Sequence, residues 1–173
     1  MKELTPLYDR IDRKITGFMA AYGISLLRIS LGINFLWFGL LKFFPGLSPA
    51  QDLATNTIEQ LTFGLVEPSA SIYILATWET LIGLGLITGL FLRATLFLLF
   101  LQMLGTLTPL VLFPEQTFVH FPYAPTLEGQ YIIKNMVLIS AALVVGSTVR
   151  GGRIVAEPGA VVGKEVAASA PHA

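Results

Sequence analysis

Residues 26–44 read "LLRISLGINFLWFGLLKFF". The run is apolar and long enough to cross about 30 Å of hydrocarbon at about 1.5 Å per residue, yet Arg28 and Lys42 interrupt it. Arg28, Gly32, Phe35, Gly39 and Lys42 follow one another at intervals of 4, 3, 4 and 3. On a helix this spacing places both cations and both glycines on one stripe. Glycines on a membrane helix admit a close neighbour, so the stripe is expected to face protein.

The rest of the chain fits that environment. Of 173 residues, 54% are hydrophobic and 13% charged, and mean hydropathy is +0.71, far from an ordinary soluble domain. Hydropathy marks four segments near 18–43, 71–92, 94–113 and 130–148. The expected fold is all-α: an integral membrane four-helix transmembrane bundle with a short N-terminal interfacial helix and a short outer-loop helix. Three regions are expected: an amphipathic interfacial segment at 1–15, the transmembrane domain at 16–152 and a mobile C-terminal tail at 153–173. In the first, Leu7, Ile11 and Ile15 recur at i, i+4 and i+8, and Thr5 and Pro6 suit a helix start. The apolar core of the first span is too long for a signal peptide, and no small-residue cleavage site follows it.

Composition also excludes chemistries. With no cysteine in the chain, disulfides, CxxC redox pairs, zinc–thiolate sites and cysteine-ligated iron–sulfur clusters are ruled out. The two histidines are His120 in a loop and His172 in the tail, so a haem held between histidines inside the bundle is not expected. No metal or covalent cofactor is expected. Net charge is zero, and no basic patch of the kind nucleic acid requires is present.

The positive residues are unevenly spread. Lys2, Arg10, Arg13 and Lys14 precede the first span, Arg93 lies between the second and third, and Arg150, Arg153 and Lys164 follow the fourth. The other two loops carry Asp52, Glu59, Glu67, Glu115 and Glu128 and no lysine or arginine. The positive-inside rule then puts the N- and C-termini on the cytoplasmic side. In the first outer loop, Ser48 followed by Pro49 signals a helix over about 49–62. In the second, Phe113, Phe118, Phe121 and Tyr123 either rest at headgroup level or cap a cavity at the outer mouth.

Inside the spans, Glu79 is the only acidic residue, about 13 Å below the outer end of its helix. Gly83, Gly85 and Gly89 follow it as helix-packing positions. The third span offers Gln102 and Thr106, and the fourth Lys134 and Asn135. Counting inward from the outer ends orders the charges as Lys42, Lys134, Glu79 and then Arg28 near mid-membrane. A charge at that depth costs at least about 2.5–3.5 kcal/mol and usually faces an interior cavity or a partner. Even with Lys42 snorkelling to the headgroups, Arg28 and Lys134 outnumber Glu79. Two readings are open. Arg28 and Glu79 clip two helices together while Lys134 snorkels outward, or the charges line an electropositive pocket for a quinone head group or an anion. Trp78, beside Glu79, either lines such a pocket or packs.

Taken together, Arg28-x3-Gly32-x2-Phe35-x3-Gly39-x2-Lys42-Phe43, Glu79-x3-Gly83 with Gly85 and Gly89, and "EGQYIIKN" at 128–135 resemble the DoxX-like superfamily of small four-helix membrane proteins, over about residues 16–152. The "EGQYIIKNMVLISAAL" stretch is most similar to a branch that includes an inner-membrane protein of reactive-chlorine resistance. The resemblance implies a bacterial inner-membrane protein tied to redox physiology. Three functions are weighed on that basis. One is an accessory subunit of a redox or oxidative-stress system, binding a quinone-like, lipid or anionic ligand near Arg28, Glu79 and Lys134. The others are a structural subunit of a larger membrane complex and a small-solute transporter or channel. For want of a nucleophile–base pair or a metal cluster, catalysis by the chain alone is not favoured. Expected partners are the lipid bilayer, a redox protein at the membrane, or further copies of the chain.

Overall fold

The structure, a computed structural model, describes residues 4–44, 46–48, 50–152 and 154. Along the chain it forms α1 (Leu4–Leu41), α2 (Gln51–Leu61), α3 (Pro68–Thr88), α4 (Leu92–Leu107), α5 (Pro109–Leu112), α6 (Pro114–Thr117), β1 (Phe118–His120), β2 (Ala124–Pro125) and α7 (Leu127–Thr148). Four of these are long and apolar enough to cross a membrane: α1, α3, α4 continued by α5, and α7.

Local chemistry sets the helix ends. Pro68 opens α3 where a missing N–H leaves no bond unmade, and Gly89 closes it in the left-handed conformation, donating its N–H to the Gly85 carbonyl. Thr126 caps α7 by accepting from the Gly129 N–H at 3.2 Å. Along α3 the buried residues are Ser71, Ile72, Ala76, Glu79, Ile82, Gly83 and Leu86, which keep the three-and-four spacing of one helix face. That face turns inward, and the four spans close into a ring: α3 packs on α1 and α4, and α7 packs on α4 and α1. Leu31 and Phe35 of α1, Ile82 and Leu86 of α3, Leu96, Leu99 and Met103 of α4, and Ala142 of α7 fill the centre.

The α1–α3 contact is the most extensive between helices, and glycines bring the two backbones close. A Cβ on Gly39 would lie 2.7 Å from the Thr80 nitrogen, one on Gly32 would lie 2.8 Å from Ile87 Cγ1, and one on Gly83 would lie 2.7 Å from Leu36 Cα. Neither Thr80 nor Leu36 can offer that room by a side-chain rotation, since backbone atoms are involved. Gly85 makes the equivalent accommodation toward α4, where it receives the Thr95 side chain.

The structure adds detail to the sequence reading at three places. From Leu4 on, the expected interfacial segment runs into the first span as one unbroken helix, about 57 Å long at about 1.5 Å per residue. From Tyr8 to Tyr22 its side chains are exposed, and a Cβ added at Gly17 or Gly23 would meet nothing within 4 Å. Next, α2 starts at Gln51 from a left-handed Ala50 that contributes no side-chain cap, while Pro49 lies outside the described residues. Its inward face carries Leu53, Thr55 and Thr57 against α3, α4 and α5. The second aromatic loop is folded into α6 and a β1–β2 hairpin, in which Phe118 meets Phe121 edge-on and His120 stacks on Tyr123. Phe121 and Tyr123 remain exposed, as rings at a headgroup layer would be. Of the expected tail at 153–173, all but Ile154 lies outside the described residues.

Replacing Gly83 with leucine should force α1 and α3 apart, at about 1–3 kcal/mol or more of overpacking. Gly105→Ala, where a Cβ meets nothing within 4 Å, should leave the detergent-solubilised protein's thermal unfolding unchanged. Equal melting temperatures for Gly83→Leu and the parent chain would contradict the close contact.

Candidate functional site

The glycine contacts fix an antiparallel register. Gly32 lies opposite Gly83 and Ile87, Leu36 opposite Gly83, and Gly39 opposite Glu79 and Thr80. Continued in both directions, this register carries Arg28 to the last turn of α3 and Lys42 about one turn past Glu79, within reach of a side chain that turns back.

Arg28 accordingly does not meet Glu79. Its Nη1 donates to the Leu86 carbonyl and, at 3.1 Å, to the Ile87 carbonyl, and its guanidinium lies against Gly89. These carbonyls belong to the final turn, where α3 has no further N–H to offer them and the helix dipole is negative. Arg28 therefore sits at the end of the bundle, not at its middle. The expected mid-membrane position assumes that the first apolar run is centred on the bundle, whereas α1 extends well beyond it.

Lys42 is the partner of Glu79. Although it follows the last residue of α1, its side chain turns back along the helix instead of snorkelling to the headgroups. Its Nζ lies 2.6 Å from Glu79 Oε2 and 3.4 Å from the Phe38 carbonyl. Gln102 of α4 donates through Nε2 to Glu79 Oε1 at 2.7 Å. Both Glu79 oxygens are thus occupied, and the carboxylate is buried between three helices. Glu79 lies about 15 Å along α3 from Gly89 by the helical rise, near the midplane of a bilayer about 30 Å thick.

This cluster is neutral in charge but not saturated in hydrogen bonds. Gln102 Oε1 and Thr80 Oγ1 are buried and have no partner. Lys42, with three N–H donors and two acceptors in reach, retains one. The cluster thus holds an ammonium with a donor to spare on one Glu79 oxygen and, on the amide bonded to the other oxygen, a buried acceptor without a partner. Thr80 is the member that sequence reasoning misses; its position next to Glu79 and opposite Gly39 is the signal that marks it.

The remaining candidates lie apart. Trp78 is half-buried and donates its Nε1–H to the Leu98 carbonyl at 3.1 Å, which makes it a link between α3 and α4. Lys134 is on an exposed face of α7, its ammonium 5.5 Å from the Tyr131 ring centre, and Asn135 is half-buried. A surplus of cations around Glu79 is therefore not found: Lys134 turns outward and Arg28 is spent on backbone carbonyls. Gly32, Gly39, Gly83, Gly85 and Gly89 all lie at contacts between elements. Two clefts open elsewhere. One, of about 610 Å³, lies among Ser48, Gln51, Asp52, Gln116 and Glu128 at the loop end, and the other, of about 430 Å³, lies between α4 and α7 beside Arg93 and Arg150.

A closed ring of four apolar helices around one buried ion pair defines a multi-pass membrane protein. More narrowly, the DoxX family model matches residues 23–120, and the chain belongs to that family. The match takes in Lys42, Glu79 and Gln102 and ends before α7. Neither the curated proteins nor the solved structures give a significant match.

Removing one member of the pair should cost far more than removing both. Glu79→Ala strands a buried ammonium and should destabilise the bundle by about 3–5 kcal/mol, whereas Glu79→Gln combined with Lys42→Met should cost much less. Lys134→Met should leave the thermal unfolding curve in place, as an exposed side chain would. If Lys134→Met proves the most damaging of the three, the assignment of Lys42 as counter-ion is wrong.

Proposed function

We propose that the chain is a non-catalytic accessory subunit of a redox or oxidative-stress system in a bacterial inner membrane, and that the Lys42–Glu79–Gln102 cluster contacts a lipid-soluble ligand of the quinone type. The observation that carries this is the unpartnered Gln102 Oε1 and the unspent Lys42 N–H, held by side chains that bond the two oxygens of one carboxylate. A quinone carbonyl accepts from an ammonium, and the hydroxyl it becomes on reduction donates to an amide oxygen. An anion fits less well, because Glu79 already neutralises Lys42. The redox setting rests on the family and on the likeness of "EGQYIIKNMVLISAAL" to the reactive-chlorine-resistance branch. Electrons would come from a partner, as the chain has no residue set for hydride, haem or iron–sulfur chemistry. Arg93 and Arg150 at one end and the acidic loops at the other support cytoplasmic termini.

A partner in the membrane, whether a redox protein or another copy of this chain, is supported by α1. Ser30 and Asn34 lie one turn apart on its exposed face, between Leu26, Ile33 and Trp37. Hydrocarbon cannot satisfy these groups, while an adjoining helix can.

The purely structural reading keeps one specific support: each Glu79 oxygen already has a partner, as a latch between α1, α3 and α4 requires. Gln102→Leu separates the two, because it fills the same volume and keeps the Lys42–Glu79 pair. A short-chain ubiquinone should raise the melting temperature of the parent protein and of Lys134→Met, by mass action on the folded state, but not that of Gln102→Leu. No shift in the parent protein would sink the ligand and leave the latch.

A further inference from the structure

We propose that the groove between α4 and α7, at the end bearing Arg93 and Arg150, is a binding site for an anionic phospholipid, with the lipid phosphate between the two guanidinium groups and an acyl chain along the groove. The site is separate from the Glu79 cluster, and it does not depend on the proposed ligand there.

Its lining divides into two parts. Arg93, in the first turn of α4, and Arg150, just past the end of α7, form a polar rim; Leu96, Phe97, Phe100 and Gly146 form an apolar trough that runs inward. Phe100 lies about 10 Å from Arg93 along the helix, which is the reach of several methylenes into the hydrocarbon layer. Phe97 is 66% exposed, so the trough opens sideways to lipid. The floor is low because α7 places Gly146 there. A Cβ at that position would meet only Leu96 Cδ1, at an ordinary 3.4 Å, so the space beside it belongs to the groove and not to a packed neighbour.

The charge at the rim has no internal answer. No carboxylate lines the cleft, and among the described residues the one ion pair is Lys42–Glu79. Two guanidinium groups on adjacent helix ends offer fork-shaped donor sets that suit phosphate oxygens. The first turn of α4 adds to this, since Phe91 supplies no side-chain cap and no acidic residue occupies that turn. Basic pockets between transmembrane helices are a known solution for acidic lipid head groups. A free inorganic anion would use the arginines and leave the trough without a role. A zwitterionic lipid would bring an ammonium toward two cations.

The test uses the full chain in a neutral detergent, with phosphatidylglycerol and phosphatidylcholine of identical acyl chains as probes and native mass spectrometry as the readout. Phosphatidylglycerol should be retained with a preference of about tenfold or more, the scale set by two basic residues at a membrane surface. Arg93→Gln combined with Arg150→Gln should abolish that preference, and millimolar inorganic phosphate should not displace the lipid. Gly146→Leu keeps both charges but fills the trough, and it should also release the lipid. Equal retention of the two lipids, an unchanged preference in the double arginine variant, or displacement by phosphate alone would overturn the proposal. Should Gly146→Leu fail to fold, the two exposed arginines decide the matter, since neither takes part in the core.

Discussion

The close antiparallel contact between α1 and α3 is the constraint on which the rest of the molecule depends. In hydrocarbon, apolar surface gains little by leaving lipid for protein, so helices associate through tight packing and polar contacts. Gly32, Gly39 and Gly83 let the two backbones approach to a distance that any side chain would prevent. Such an interface permits one register and penalises the neighbouring ones. Once that register is chosen, the positions of Arg28, Lys42 and Glu79 follow without further adjustment.

That register solves two electrostatic problems by different means. Arg28 meets partial charges only, the carbonyls of a helix end that would otherwise lack donors. Lys42 and Glu79 meet as full charges at the depth where desolvation is most costly. Their geometry is short and Gln102 completes the carboxylate, as a buried pair requires if it is not to be a net loss. What is left over is small and local: an amide oxygen, a threonine hydroxyl and one ammonium hydrogen. Among the described residues, these buried unpartnered groups lie together beside the Glu79 carboxylate.

The fold is legible in the sequence to a large extent, and the pairing inside it is not. Hydropathy locates the four spans, and the three-and-four spacing of Gly32, Phe35 and Gly39 identifies the buried stripe of α1, because both properties are local to one helix. Spacing names a face but carries no information on which residue of the neighbour lies opposite. For that reason it places Arg28 too deep, and it leaves Lys42 at the rim although a lysine side chain can turn back along its own helix. Lys134 illustrates a further limit: a cation in the outer turns of an apolar segment points inward or outward according to helix rotation, which the polar and apolar residues flanking it in "EGQYIIKN" do not settle. The hairpin at 118–125 is hidden by its brevity, since three residues of Phe-Val-His are too few to show an alternating pattern.

The placement of the Lys42–Glu79 pair also bears on how the chain enters the membrane. Lys42 follows directly on one span, and Glu79 lies halfway along the next. Alone, a helix with an ionised carboxylate at its centre partitions poorly into lipid, and its partner is already on the preceding helix. The two therefore favour entering as a hairpin, the first span waiting beside the insertion machinery until the second supplies its counter-charge. α7 buries no charged side chain and can follow unaccompanied. The order of charges along the chain is in this sense an assembly schedule, written into the same residues that hold the finished bundle together.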